Sequence, residues 1–368
     1  MSSLDVKIAE FNKKFNQEVI GLGFSYKDYD RIPFSSATLN YMTYGGLPRN
    51  CLIEFAGKPG SGKSTLALDI AKNAQKIFKK EWEDEIESLQ SATTKKDKER
   101  LEYLEKTGER RVLFVDAENS LHPWWAETIG VDYDKMVIAK LGTQSAEEVF
   151  EFVIQLVSTG EIGLAIIDSL GVLMSGKLLE GEIGTKEYGG IAMELGNFSK
   201  KMTQLCRVHN LPFIGINQYT TDLNAMFNKD KKKGGQGWAY LTSIQLAFRG
   251  DTDIDEKGRD TGKRNYETPS GKNFKAVLDK SKVFSPDRKL SSYTISFEHG
   301  IDSLADLIEQ AMIDGLVVQT GAWFNVVDPE TGEEIEKLQG KYNLRGFLEE
   351  NEELSRKIEK YLYDKYLE

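Results

Sequence analysis

An α/β fold built on a mostly parallel central sheet is what this 368-residue sequence predicts. Three observations carry that reading. Apolar strands that end in polar residues ("RVLFVDAE", "GLAIIDS", "LPFIGINQ") alternate with segments of helical spacing ("SAEEVFEFVIQLVS", "MELGNFSKKMTQLCRVH"). Such alternation is satisfied by parallel strands with helices on both faces. A further strand, "NCLIEFAG", runs into the glycine-rich turn "GKPGSGKST", and Leu66, Ile70, Ala74 and Ile77 then return at helical spacing. Lastly, ligands of such sheets gather beyond the carboxyl ends of the strands. Glu118, Asp168 and Gln218 each close a strand and are expected to face the glycine turn.

The remaining elements follow from spacing. Leu4, Ile8, Phe11, Phe15 and Val19 form one apolar stripe, which predicts a short helix over residues 4–20. Residues 79–110 are mixed-charge with sparse apolar positions, a helical hairpin or solvated protrusion better read as a surface insertion than as a partner site. After the strand "SIQLAFRG", residues 251–274 are polar and turn-rich, which predicts a hairpin loop or connection. "KAVLDKSKVF" and "SSYTISF" read as two more strands. From about Glu298 the pattern is helix, short strands, helix, a small separate unit.

Composition bounds the function. The chain is 40% hydrophobic and 29% charged, with a formal net charge of −10, an ordinary globular profile without the overall basic field of a nucleic-acid binder. Polynucleotide binding would need a local basic patch. Two cysteines, Cys51 and Cys206, make no disulfide framework and suggest a reducing compartment. "MSSLDVKIAE" is charged where a signal peptide needs an apolar core, and no apolar run is long enough to span a bilayer, so a cytoplasmic protein without membrane contact is expected.

Gly57, Gly60, Gly62, Lys63 and Ser64 match G-x-x-x-x-G-K-[ST]. Glycines let backbone N–H groups turn inward at a helix N-terminus, Lys63 reaches the β- and γ-phosphates, and Ser64 offers its hydroxyl to Mg²⁺. The whole turn, Gly57, Lys58, Pro59, Gly60, Ser61, Gly62, Lys63, Ser64 and Thr65, is the candidate nucleotide cradle, set against the bland alternative of a chance glycine turn. Asp168 is a candidate partner of Ser64 in holding Mg²⁺, directly or through water; the alternative is a strand-end cap. Glu118 is a candidate base for the attacking water, preferred to Asp116 because it lies beyond the apolar run. Gln218 is a candidate reporter of an intact γ-phosphate, weak taken alone. Two long loops follow, at 175–194 and 219–243. The second joins Lys229, Lys231, Lys232 and Lys233 to Phe227, Trp238 and Tyr240, which would let lysines track phosphates while aromatics stack on bases. A solvated charge run is the plain alternative.

In this order the pieces resemble bacterial and phage RecA-type recombinases. "GGLPRNCLIEFAGKPGSGKSTLAL" resembles the family's first core strand and phosphate loop, and "VLFVDAENSLHPWWAETIGVD" its catalytic-glutamate segment. "EGEIGTKEYGG" resembles the first DNA-binding loop, and "INQYTTDLNAMF…GGQGWAYLTS" the sensor glutamine with the second. "DKSKVFSP" resembles its paired lysines, and "GAWFNV" with the last helix its small C-terminal domain. The resemblance implies a RecA-type P-loop ATPase core at 32–297, a short N-terminal helical oligomerisation arm at 1–31, and a small α/β C-terminal domain at 298–368. It implies ATP and Mg²⁺ as cofactors, Glu118 as base, Gln218 as the link from γ-phosphate to DNA, Lys280 and Lys282 as cations acting on a neighbour's nucleotide, and Trp125 as the adenine-stacking ring. Gly181, Glu182, Ile183 and Gly184 would bind DNA in the first loop. Met226, Phe227, Lys231, Lys232, Lys233, Gly234, Gly235, Trp238 and Tyr240 would do so in the second.

The function so implied is an ATP-dependent recombinase that forms helical homo-oligomeric filaments on single-stranded DNA and exchanges strands with homologous duplex. Whether single-strand-binding or loader proteins assist is not something the sequence reveals. His122 departs from the family, which usually has an acid there, and residues 79–110 have no counterpart that the resemblance supplies. The competing readings are a RecA-core ring ATPase, helicase-like or clock-like, without strand exchange, and a small-molecule P-loop kinase, which would need a lid rather than two long loops.

Overall fold

The structure is a computed structural model that describes residues 3–15, 30–91, 93–182, 190–221, 230–232, 234–255, 258–261 and 268–367. The chain divides into two compact units, Met1–Asp30 and Arg31–Glu368. The first holds α1 (Ser3–Phe15), on which Leu4, Val6 and Phe11 are exposed. The described helix carries Leu4, Ile8 and Phe11 of the expected stripe, and Val19 lies outside the described residues.

The second unit begins with β1 (Arg31–Ile32), α2 (Ala37–Met42) and β2 (Leu47–Pro48). Ser36 caps α2 by accepting the N–H of Leu39. Next come β3 (Leu52–Gly57) and a long helix, α3 (Lys63–Leu89), which turns back through α4 (Lys95–Thr107). The charged 79–110 stretch is thus a helical hairpin. Its base is pinned where Glu81 accepts from both Arg49 (2.5 Å) and Arg110 (2.6 Å), and both guanidinium groups lie over the Phe78 ring. Phe78 fits because β6 carries Gly163 beneath it, where a Cβ would lie 2.5 Å from the ring.

The core continues through β4 (Arg111–Asp116), α5 (Pro123–Ile129), β5 (Met136–Lys140), α6 (Ala146–Ser158), β6 (Ile162–Asp168), α7 (Gly176–Glu180), α8 (Ala192–His209), β7 (Phe213–Thr221), β8 (Asp230–Lys232), α9 (Gly235–Leu241) and β9 (Ile244–Ile254). Antiparallel β10 (Gly271–Ser281), β11 (Leu290–Ser296) and β12 (Gly300–Ile301) follow. The sheet order is β12-β11-β10-β9-β3-β7-β6-β4-β5, with β8 paired to β7. Strands β9, β3, β7, β6, β4 and β5 are mutually parallel, as the alternating pattern predicts. One face is covered by α3 and α5 around Phe55, Leu66, Ile70 and Phe114, the other by α6 and α8 around Val115, Phe150, Phe198 and Phe213.

The structure adds two details to the sequence reading. β5, a half-buried strand that the spacing does not reveal, adds an edge to the sheet. Strand β9 runs on to Ile254 and β10 starts at Gly271, so the polar 251–274 stretch joins two antiparallel strands as a hairpin connection, with its first and last four residues in the strands themselves. Asp251 meets Lys275 (2.9 Å) and Asp253 meets Lys272 (3.3 Å) across the ladder, which accommodates charge on an exposed sheet face.

The C-terminal residues form α10 (Ser303–Ile313), a three-stranded antiparallel sheet of β13 (Val317–Thr320), β14 (Trp323–Val327) and β15 (Glu334–Gln339), then α11 (Lys341–Glu350) and α12 (Glu352–Leu367). They close around Leu307, Val326, Leu344, Ile358 and Leu362. Ala37 and Tyr41 of α2 pack into the same cluster, so an early helix completes this late core.

No helix among the described residues is long and apolar enough to cross a membrane. Both cysteines are free and buried. Burial pushes the Cys51 thiol up to about 12 and that of Cys206 well above its ordinary value. Since the thiolate is the reactive form, neither thiol is expected to react with an aromatic disulfide reagent in mildly alkaline buffer until denaturant is added. Prompt labelling of the folded chain would contradict this packing.

Candidate nucleotide site

Backbone conformation builds the site first. Gly60 (φ 70°) and Gly62 (φ 81°) adopt left-handed conformations that other residues rarely hold, and they turn the chain from β3 into α3. Gly57 is required for a different reason: a Cβ there would lie 2.5 Å from the carbonyl oxygen of Phe248. Gly62 caps α3 without a side-chain hydrogen bond. The N–H groups of the first turn therefore remain for an anion, and the helix dipole favours negative charge at that point.

Lys63, 7% exposed, folds back over the turn and donates to the carbonyls of Gly57 (3.2 Å) and Lys58 (2.9 Å) and to Ser61 Oγ (3.4 Å). Burial lowers its pKa, against the raising influence of Asp168 and Glu118. An ammonium satisfied only by carbonyls and a hydroxyl, with two acids near it, is suited to a phosphate.

Ser64 and Asp168 do meet: Ser64 Oγ donates to Asp168 Oδ2 at 2.5 Å. Burial foremost, and the neighbouring charge of Glu118, push the Asp168 carboxyl up to about 6, while Ser64 and Lys63 work the other way. No cluster of three or more His, Cys, Asp or Glu side chains poised for a metal occurs among the described residues. A hydroxyl and one carboxylate fit a hard cation that takes its other ligands from phosphate and water.

Glu118 lies exposed past the end of β4. Its Oε1 accepts from Ser169 Oγ (2.6 Å) and from Gln218 Nε2 (2.7 Å). Asp116 is committed elsewhere: it is 1% exposed and accepts the N–H groups of Ser120 (3.0 Å) and Leu121 (2.9 Å), shaping the turn that presents Glu118. Glu118, Asp168, Gln218, Lys63 and Ser64 are thus gathered on the carboxyl side of the central strands. Ser169, which the sequence does not single out, completes the carboxylate's support. Trp125 sits half-buried against the core, its indole N–H directed at Thr65 Oγ1 (3.4 Å), with Trp124 exposed beside it.

Other expected residues lie apart from this cluster. Lys280 Nζ donates to the carbonyls of Ala239 (2.5 Å) and Tyr240 (3.2 Å), and Lys282 Nζ donates to that of Tyr240, so both seat on the C-terminus of α9. Cations are favoured at such a helix end. Gly181 and Glu182 are exposed after α7. Ile183, Gly184, Met226, Phe227 and Lys233 lie outside the described residues. Lys231 and Lys232 belong to β8, where only their backbone is described.

Gly234 and Gly235 have φ of 114° and 72°. A Cβ on Gly235 would lie 2.7 Å from that of Ala192, so these glycines serve close packing on α8. Tyr240 is exposed. Trp238 is a correction: it is 1% exposed, and its indole N–H donates to Glu54 Oε1 at 2.9 Å. It is a core residue, unable to stack on a base from this seat.

The sequence profile of the RecA N-terminal domain matches residues 90–315. Protein RecA of Streptomyces ambofaciens is 28% identical over 367 residues, covering 99% of this chain and 86% of its own length. Protein RecA of Geobacter sulfurreducens is likewise 28% identical, covering 98% and 94%. A solved structure of the RadB recombinase superposes with a TM-score of 0.45 at 19% identity, covering 72% of this chain and 95% of that one. The profile spans more than half of the sequence, and the chain belongs to the RecA family. It is a RecA-like recombinase with a nucleotide-hydrolysing core.

Glu118→Gln is expected to preserve nucleotide binding, since it keeps the shape and the contacts to Ser169 and Gln218. Hydrolysis should fall by about a hundredfold or more, the usual cost of losing a general base. Phosphate release and equilibrium binding of a fluorescent ATP analogue separate the two effects. Wild-type turnover in the variant would remove Glu118 from the chemistry.

Proposed function

We propose that the protein is a DNA-dependent ATPase that forms helical filaments on single-stranded DNA and pairs that strand with homologous duplex. The observation that carries this reading is the hydrogen bond between Gln218 and Glu118. It joins the carboxylate at the hydrolysis site to the strand that pairs with β8, Tyr219, Thr220 and Thr221 standing opposite Lys232, Lys231 and Asp230.

In this reading the glycine turn and the N-terminus of α3 cradle the triphosphate, Lys63 leaves its carbonyls for the β- and γ-phosphates, and Ser64 with Asp168 holds Mg²⁺. Such a cation, when bound, would supply neutralising charge for the transferred group. Glu118 accepts a proton from the attacking water. Gln218, bonded to that carboxylate, responds to the γ-phosphate and passes its presence to the basic segment at 231–233, where lysines meet phosphates. Trp125, over the first turn of α3, supplies the face for adenine. Lys280 and Lys282 exchange the α9 carbonyls for the nucleotide of an adjacent protomer, which ties hydrolysis to assembly. The apolar residues exposed on α1 suit a head-to-tail contact that propagates without closing.

The ring-ATPase alternative shares the hydrolysis site but has no role for this link to a basic segment. Hydrolysis measured with and without an unstructured oligothymidylate tests the proposal. Single strand is expected to raise the rate severalfold, with open helical filaments under electron microscopy when a slowly hydrolysed ATP analogue is present. A rate indifferent to DNA, or closed rings, would overturn it.

A further inference from the structure

An acid stands in the middle of the apolar strand β3. Glu54 is 1% exposed, flanked by fully buried Ile53 and Phe55. A carboxylate taken out of water is costly unless donors surround it. Here two donors converge on one oxygen: Trp238 Nε1 at 2.9 Å and Asn217 Nδ2 at 3.1 Å, both to Glu54 Oε1. The indole's seat is cut to fit. Gly215 is the register partner of Glu54 on β7, and a Cβ there would lie 2.7 Å from Trp238 Cζ2. Phe213 meets the indole edge-on at 6.1 Å.

Asn217 carries the connection onward. Its Oδ1 accepts the backbone N–H of Gln218 at 3.0 Å, and Gln218 Nε2 reaches Glu118. An unbroken hydrogen-bonded series therefore runs from Glu118 through Gln218, Asn217 and Glu54 to Trp238. It starts at the hydrolysis site and ends inside α9, the helix that follows the basic segment 231–233 in sequence. Packing alone does not call for this arrangement. An aliphatic residue at 54 and a phenylalanine at 238 would fill similar space without burying a carboxylate, and such replacements are often neutral or stabilising.

We propose that Glu54 is a positioning residue that couples the nucleotide site to α9, so that polynucleotide on the α9 side changes hydrolysis through the Glu54–Trp238 bond. The coupling rests on the DNA-dependent reading above. The bond is directional and is either made or broken, which gives the coupling the discrete element that it needs. Glu54 touches no reacting atom; it acts by holding Asn217, and through it the backbone of Gln218, in register with Glu118.

The test uses the full chain and oligothymidylate. Trp238→Phe keeps a ring in the seat and removes the N–H. The ratio of hydrolysis rates with and without the single strand is expected to fall about fivefold or more, the scale of one buried hydrogen bond, with a smaller change in the rate without DNA. Glu54→Gln keeps an acceptor oxygen and should retain most of the stimulation. A Trp238→Phe ratio equal to that of the unmodified chain overturns the proposal. A second measurement needs no substitution at the hub: the ¹⁵N indole resonance of Trp238, assigned by replacing the other tryptophans singly, should shift when oligothymidylate is added with a non-hydrolysed ATP analogue. A resonance that does not move overturns the coupling. If the unmodified chain hydrolyses ATP at a rate indifferent to DNA, the underlying reading fails and the coupling with it, an outcome distinct from a stimulated chain whose Trp238→Phe ratio is intact.

Discussion

The hydrogen-bonded register of the parallel strands is the constraint on which the site depends. Gly57 of β3 lies opposite Gln218 of β7, and Asp116 of β4 lies opposite Asp168 of β6. These pairings place the glycine turn, the Gln218 amide and both carboxylate-bearing strand ends together on the carboxyl side of the central strands. Slipping any pair by one residue would send every side chain of that strand to the opposite face. The register is held by fully buried side chains on both faces, Ile53, Phe55, Leu164, Ile166, Phe213 and Ile214 among them. Core packing therefore sets the distances on which the chemistry relies.

From that side, polar groups lead inward as well as outward. Lys63, Asp168, Asn217 and Glu54 are all buried, an unusual density of polar side chains between apolar layers. Each is matched by a partner: carbonyls for Lys63, Ser64 for Asp168, Gln218 and Glu54 for Asn217, the indole for Glu54. A network satisfied in this way holds one arrangement more strictly than an apolar core would. The helical hairpin of α3 and α4 lies outside this logic. It is fixed to the core by the Arg49–Glu81–Arg110 cluster, so an addition to the surface is anchored without disturbing the sheet.

Much of this was legible in the sequence, and where it was not, the cause is specific. The glycine turn is a local signal, because the positive φ values and the helix that follows are encoded within a few residues of Lys63. Glu118, Asp168 and Gln218 were legible because apolar runs end visibly at them, although β7 itself continues past Gln218 to Thr221, where polar residues pair with β8. Trp238 is not legible: beside a lysine run it reads as a surface aromatic, whereas its burial is decided by Gly215 and Glu54, distant in sequence. Glu54 itself left a signal, a lone acid inside "LIEFAG", that only a buried donor could explain. β5 does carry an apolar run, Met136–Ala139, but one of only four residues, too short to assign by spacing without the neighbouring strand it pairs with. The ends of β9 and β10 are polar because Lys272 and Lys275 neutralise Asp253 and Asp251 across the ladder, pairs that only the fold creates.

Hydrogen exchange resolved by peptide, with and without a non-hydrolysed ATP analogue and Mg²⁺, tests the central claim most directly. If the strand register makes one nucleotide-responsive side, amides of Gly57–Thr65 should gain protection together with those of Gln218–Thr221 and the residues around Glu118 and Ser169. Protection confined to the glycine turn, with β7 and the end of β4 unaffected, would contradict the account.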